Sequence, residues 1–284
     1  MKYEIYYSCC SHVGKRRNTN QDNCFCDGKY MNDLREHMTF SMRGCPKHIP
    51  PLVFAVFDGM GGEECGEIAS LIAAKCATEL KTGSKPIEDL QRYCETANEE
   101  ICRYANNNKI GSMGTTAVIL VFAKNEINLC NIGDSKAFRF DGEKLEQISV
   151  DHYAVASYER KPPLSQNLGI PTTEMLIEPY YARGSYHDND VYLLCSDGLT
   201  DMVSEEEIRK ILVDAYVSKA ADKSQTAEES KAIDRSEISD VNYAVDRLLQ
   251  KALVNGGSDN ISIILCKVKK KRGLLSRAFH AMFS

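Results

Sequence analysis

The folds open to this chain are narrowed most by a set of short, unbroken apolar runs that stop at acidic residues. Leu52-Val-Phe-Ala-Val-Phe57 ends at Asp58, Val191-Tyr-Leu-Leu-Cys-Ser196 ends at Asp197, and Ile261-Ser-Ile-Ile-Leu265 starts just after Asp259. Runs this short, bounded by polar or glycine residues, read as buried strands. Residues 3–7 form another. From Thr115 to Ile148 about three or four more strands are expected, separated by the turn signals Lys124-Asn125, Gly133-Asp134 and Asp141-Gly142. Connections this short favour antiparallel neighbours. Residues 28–50, with Gly28, Gly44, Pro46 and Pro50, read as an inserted loop or hairpin.

Helical signals lie between the strand clusters. Glu63–Leu80 is rich in Ala, Ile, Leu and Glu, and Pro86–Asn107 places Leu90, Tyr93, Cys94, Ala97, Ile101, Tyr104 and Ala105 at helical spacing. Ser204-Glu-Glu-Glu207 reads as a capping box. The polar stretch Ser218–Asp240 reads as a solvated helix or linker. A helix with Val241, Ala244, Val245, Leu248, Leu249, Ala252 and Leu253 on one face then runs to the Gly256-Gly257 break. Because strands cluster instead of alternating singly with helices, a sheet core covered by helices is expected, in place of a doubly wound parallel sheet.

Composition limits the function classes. Of 284 residues, 43% are hydrophobic and 26% charged, which supplies a globular core, and the formal charge of −5 argues against a nucleic-acid partner. No signal-peptide core opens the chain and no run reaches transmembrane length, so a cytoplasmic protein with reduced thiols is expected. Of the twelve cysteines, Cys130, Cys195 and Cys266 sit in apolar runs and read as core. Cys24, Cys26 and Cys45, with His37 and His48, could make a zinc site on paper, but no Cys-x-x-Cys spacing supports it. Cys10 and Arg16 have the spacing of a cysteine-phosphatase loop, yet Ser-His-Val-Gly between them lacks a glycine-rich phosphate cradle.

Asp58, Asp197 and Asp259 each stand at a strand rim, where a rigid core can fix carboxylates around a hard cation such as Mg2+ or Mn2+. The glycines after Asp58 and Asp197 would let the backbone turn sharply and free a carbonyl. Taken singly, Asp-Gly is a turn dipeptide.

Together the motifs resemble the metal-dependent protein phosphatase family, the type 2C serine/threonine phosphatases, over about residues 8–268. They are Arg17-Asn-Thr-Asn20-Gln-Asp22, Phe57-Asp-Gly-Met-Gly-Gly62, Gly114-Thr-Thr-Ala117, Gly133-Asp-Ser135, Cys195-Ser-Asp-Gly-Leu199 and Ser258-Asp-Asn260, in family order. The Asp-Gly-Met-Gly-Gly form is similar to the bacterial branch. The resemblance implies an α+β fold: two packed antiparallel β-sheets, a β-sandwich, flanked by α-helices on both sides (αββα). It implies a phosphatase domain over 1–268 and a basic amphipathic tail over 269–284.

By the same resemblance, Asp58 bridges two metal ions, Gly59 offers its carbonyl, and Asp197 and Asp259 complete the first site. Asp22 holds water in the outer shell, Asp134 with Asp197 forms a third, weaker site, and Arg17 grips the substrate phosphate. The cofactors implied are two Mn2+ or Mg2+ ions, or three. The reaction implied is in-line attack of an activated water on phosphoserine or phosphothreonine, in a monomer opposing a serine/threonine kinase. A catalytically silent scaffold and a small-phosphoester hydrolase are the alternatives.

Gly114-Thr-Thr-Ala117 is expected only to pack a strand. Gln21, where many members have glutamate, should weaken the outer-shell network, and Met60 removes a histidine that eukaryotic relatives offer as an acid. His152 should be structural. Tyr153–Ser185 falls at the family's substrate-facing flap. Lys267-Val-Lys-Lys-Lys-Arg272 with Leu274, Leu275, Ala278, Phe279, Met282 and Phe283 could touch an anionic membrane or a partner, or pack on its own domain.

Overall fold

The computed structural model describes residues 3–32, 39–43, 51–60, 65–80, 83–123, 126–154, 162–216 and 229–270. The strands are β1 (Tyr3–His12), β2 (Asp22–Cys26), β3 (Lys29–Tyr30), β4 (Thr39–Arg43), β5 (Leu52–Met60), β6 (Gly114–Thr115) and β7 (Ala117–Phe122). They continue with β8 (Glu126–Ile132), β9 (Lys136–Phe140), β10 (Leu145–Gln147), β11 (Tyr180–Ser185), β12 (Val191–Cys195) and β13 (Ile261–Lys270). The helices are α1 (Gly66–Ala77), α2 (Pro86–Asn108), α3 (Asp197–Thr200), α4 (Glu205–Tyr216) and α5 (Glu229–Val254).

Two antiparallel sheets result. One runs β10-β9-β12-β13-β1-β4; the other runs β11-β8-β7-β5-β2-β3, with β6 paired to β5. Three apolar layers explain why the strand sequences are unbroken. Leu52, Phe54 and Val56 of β5 join Ile5, Tyr7, Tyr192, Leu194, Ile264 and Cys266 between the sheets. Val53, Ala55 and Phe57 face the other way, onto Ala69 and Ala73 of α1 and Leu90 and Ala97 of α2. On the far sheet, Leu193, Ile263 and Leu265 meet Ile208 and Leu212 of α4 and Val241 and Leu248 of α5. Each central strand is covered on both faces, so no polar alternation is needed.

Several predicted elements are met with changed limits. The capping box forms: Ser204 Oγ accepts the Glu207 N–H at 3.4 Å and Glu207 Oε2 accepts the Ser204 N–H at 3.2 Å. The polar stretch 218–240 is helical from Glu229 on, as the start of α5, and 217–228 lie outside the described residues. The insertion is split between the sheets. Asp27 (φ 48°) and Gly28 (φ 86°) make a two-residue hairpin turn into β3, while β4 pairs with the edge of β1. The strand β11, within the predicted flap, has no run of apolar residues to announce it.

Gly133-Asp134 departs most from expectation. It is not a hairpin turn, since β8 and β9 belong to different sheets and the segment crosses between them. Gly133 takes φ 97°, a conformation that glycine adopts without strain. Asp141-Gly142 does join the paired strands β9 and β10; Lys124-Asn125 lies outside the described residues. The basic cluster is also not uniformly solvated. Lys267 is buried, 2.6 Å from Glu237 Oε2, and Lys269 reaches Glu237 at 3.4 Å. Residues 271–284 lie outside the described residues. No described helix is long and apolar enough to cross a membrane.

Phe54 is fully buried at the centre of the inter-sheet layer, edge-on to Tyr7 (5.0 Å) and Phe122 (5.9 Å). Phe54→Ala should cost about 3–5 kcal/mol of unfolding free energy. Urea denaturation monitored by circular dichroism would measure it, and a loss below about 1 kcal/mol would contradict this placement.

Candidate active site

At one end of the sandwich the inward-facing positions change from apolar to polar. On β5 the inward series is Leu52, Phe54, Val56, and two residues on, Asp58; on β2 it is Cys26, Cys24, and then Asp22. The same two-residue step past the apolar layer reaches Ser11 on β1, Thr116 before β7, Ser135 before β9, Ser196 after β12 and Ser262 on β13. All five hydroxyl residues are fully buried. The register brings these ends together, with Asp22 opposite Asp58, His12 opposite Ile261, and Cys195 opposite both Lys136 and Ile263.

Asp22 and Asp58 are thus like charges facing each other across a strand pair, an arrangement that destabilises a sheet. Burial, then the charges of Asp197 and Asp259, push the Asp22 carboxyl up to about 7, against the hydroxyls of Ser196 and Ser262, which lower it. Burial and the charges of Asp22, Asp197, Asp134 and Asp259 likewise hold Asp58 well above the usual carboxylate range. Asp22 Oδ2 accepts the Ser196 hydroxyl at 2.8 Å, but its buried Oδ1 has no hydrogen-bond partner. A divalent cation held beside the pair would answer both problems, cancelling the repulsion and bringing bound water to the orphaned oxygen. The donors are all oxygens, as hard cations require.

Other residues fix these carboxylates in place. Thr115 Oγ1 donates to Asp58 O (2.9 Å), the Thr116 N–H donates to the same oxygen (2.9 Å), and Thr116 Oγ1 accepts the Asp58 N–H (3.1 Å). The Thr116 and Ser135 hydroxyls bond at 2.6 Å, linking Asp58 to the loop that carries buried Asp134. Tyr153 donates to Asp134 Oδ2 at 3.4 Å. The Gly114-Thr-Thr-Ala117 motif therefore positions Asp58 and does more than pack a strand. Asn260 clamps the β1–β2 loop: Oδ1 accepts the Gln21 N–H at 2.8 Å, and Nδ2 donates to Val13 O and Thr19 O at 2.9 and 3.0 Å.

That clamp sets Arg17 beside Asp259, to which it donates two hydrogen bonds of 2.8 Å each. Asp259, with help from Asp58 and Asp197, raises the Arg17 pKa further above its usual value. Among the described residues, no three His, Cys, Asp or Glu groups already stand close enough together to hold a metal ion. Arg17 is itself half-exposed at the rim.

The two acidic-glycine pairs owe their glycines to close approach, not to a sharp turn. Neither Gly59 nor Gly198 has positive φ. A Cβ on Gly59 would lie 2.1 Å from Gly66 O and 2.4 Å from Gln21 O; one on Gly198 would lie 1.9 Å from Asn260 O. His152 braces the crossing segment, its Nδ1 3.2 Å from Gly133 O and its backbone N–H bonded to the same carbonyl at 3.1 Å. Cys10 is buried among the residues facing α5, so it is no phosphate-loop nucleophile. Cys24 and Cys26 point into the apolar inter-sheet layer beside Cys9, where burial raises the Cys26 thiol pKa; Cys45, His37 and His48 lie outside the described residues.

Residues 47–235 match the family described as Protein phosphatase 2C. The serine/threonine phosphatase stp of Listeria innocua is 30% identical over 234 residues, 76% of this chain and 83% of that protein. The protein phosphatase PhpP of Streptococcus pneumoniae is 27% identical over 284 residues, 93% of this chain and 98% of that protein. In solved structures, the serine/threonine phosphatase PstP/Ppp of Mycobacterium tuberculosis superposes with a TM-score of 0.69 at 24% identity, covering 94% of this chain and 100% of that one. A structure of the PstP catalytic domain in complex with two manganese ions gives the same TM-score, 0.69, the same identity, 24%, and the same coverage, 94% and 100%.

Gly198→Ala should be among the most damaging single-methyl additions in the chain, because the atom it meets is backbone. A loss of roughly 1–3 kcal/mol is expected, read as a fall in thermal or urea midpoint. An unchanged midpoint would contradict the close approach of α3 to Asn260.

Proposed function

The chain belongs to the protein phosphatase 2C family, and on that premise we propose that it is a metal-dependent phosphatase of phosphoserine and phosphothreonine in proteins. The observation that carries the reading is the facing pair of buried Asp22 and half-buried Asp58, set beside Asp134, Asp197 and Asp259, with one Asp22 carboxylate oxygen left unbonded. Asp58, Asp197, Asp259 and the Gly59 carbonyl would hold two Mn2+ or Mg2+ ions, with Asp134 and Asp197 offering a third position. The manganese ions bound by PstP support that metal class. Such ions, when bound, would lower the pKa of a water enough to supply hydroxide near neutrality.

The chain's own residues supply the rest. Asp22, tied to Ser196, orients water at the cation site. Arg17 sits on a mobile-length side chain at the rim, where its planar guanidinium can leave Asp259 for a substrate phosphate. The buried hydroxyls of Ser11, Ser135, Ser196 and Ser262 spread hydrogen bonds around the carboxylates without adding charge. Hydrolysis by an activated water needs no covalent intermediate, and the buried Cys10 is not placed to form one. We place the enzyme in the cytoplasm, as a monomer that opposes a serine/threonine kinase, with one domain over 1–268 and the 269–284 tail as a secondary contact for a membrane surface or a partner.

Two measurements test this. On a phosphothreonine peptide with Mn2+, Asp58→Asn should cut kcat/KM by more than about 100-fold, beyond the usual loss from an outer-shell change. Chelation of the metal should abolish turnover of the wild type. Without metal, the same Asp58→Asn should be more stable than wild type by roughly 0.2–1 kcal/mol, because the like-charge pair is gone, and Mn2+ should no longer raise its melting temperature. Equal turnover by wild type and Asp58→Asn would refute the reading.

A further inference from the structure

Gln21 stands where many members of the family carry glutamate, and its amide nitrogen is bonded to α1 here. Nε2 donates to Glu67 Oε2 at 3.2 Å, and Glu67 lies in the first turn of α1. Its main chain is committed on both sides: the N–H donates to Asn260 Oδ1 at 2.8 Å, and the carbonyl accepts the Gly59 N–H at 3.2 Å. One residue therefore touches the segments bearing Asp259 and Asp58, touches α1, and is the peptide neighbour of Asp22.

The helix comes close enough for this contact to matter. A Cβ on Gly66 would lie 2.8 Å from Gln21 Nε2 and 2.9 Å from both the carbonyl carbon and oxygen of Gly59. The first turn of α1 is thus seated against the Gly59 carbonyl, and the Gln21–Glu67 bond is the side-chain tie beside that seat. Both side chains are partly buried, where a hydrogen bond to a charged acceptor is strong and weakly screened. Glutamate at position 21 would meet Glu67 with like charge and no donor, whereas an amide supplies the donor the carboxylate needs. The expectation that Gln21 weakens the site thus overlooks its partner on α1.

We infer that Glu67 is a positioning residue of the phosphatase site. Acting through the Gln21 amide, it holds α1 against the β2–β5 strand pair and so fixes Asp22, Asp58 and the Gly59 carbonyl in the arrangement that receives the cations. The inference rests on the phosphatase reading above.

A double-mutant cycle tests it with Glu67→Ala, Gln21→Ala, the double variant, and Glu67→Gln, which keeps an acceptor oxygen at the same place. Three quantities are read: kcat and KM on a phosphothreonine peptide, the Mn2+ concentration for half-maximal rate, and Mn2+ affinity by calorimetry without substrate. Glu67→Ala should lower kcat and weaken Mn2+ binding by roughly tenfold, within the range for outer-shell partners, with peptide KM little changed. Gln21→Ala should do the same, the double variant should be no worse than either single one, and Glu67→Gln should recover most of the loss. Wild-type behaviour of Glu67→Ala, or losses that multiply in the double variant, would overturn the proposal. Each variant's melting temperature without metal separates unfolding from mispositioning: a global loss of fold in Glu67→Ala, with Glu67→Gln folded but equally impaired, also overturns it. If the wild type failed to hydrolyse the peptide, the phosphatase reading would fall, while calorimetry would still decide the role of Glu67 in ion binding.

Discussion

The register of β2 against β5 is the constraint on which the rest of the structure depends. It sets Asp22 opposite Asp58 on the face that looks into the space between the sheets. Because side chains alternate with a period of two, a slip of β2 by one residue would send Asp22 to the helix side, away from Asp58, and bring Phe25 inward. The apolar positions Cys24, Cys26, Phe54 and Val56 prevent that slip. The same packing that stabilises the sandwich therefore aims the two acids at each other, at an electrostatic cost that a cation relieves.

Seen from that pair outward, the site is the polar end of the inter-sheet layer. Ser11, Thr116, Ser135, Ser196 and Ser262 occupy inward positions where hydrocarbon would otherwise continue. Their hydroxyls bond one another and the carboxylates: Ser262 to Ser11 at 2.8 Å, Ser196 to Asp22 at 2.8 Å, Thr116 to Ser135 at 2.6 Å. Short, rigid side chains on strand ends hold position better than long ones on loops, which suits a site whose ligands must not drift. The long side chain of Arg17 lies at the rim, where reach toward a substrate is useful and rigidity is not.

Local contacts then tie the layers together. Asn260 joins the β1–β2 loop to the start of β13, the glycines at 59, 66 and 198 let backbones approach where any Cβ would collide, and Gln21 reaches α1 through Glu67. These are contacts of residues that look unremarkable in the chain. Glycine after an aspartate reads as a turn, and asparagine before a strand reads as a cap or loop; only the neighbouring backbone shows otherwise.

The sequence by itself determined that the chain has buried strands ended by Asp58, Asp197 and Asp259, a helix pair after the first of them, and motifs that resemble one phosphatase family. Those features are local: periodicity, turn dipeptides and ordered motifs are written within a few residues of each other. Only the tertiary structure decided that Gly133-Asp134 crosses between sheets, that β4 and β11 are strands, that Lys267 is buried against Glu237, and that Thr115, Thr116 and Gln21 serve the site. Each of these is set by partners far away in the chain, 57 residues from Thr115 to Asp58 and 46 from Gln21 to Glu67. Hydrogen-bond partners and close backbone approaches of that kind exist only once the two sheets have closed on their common layer.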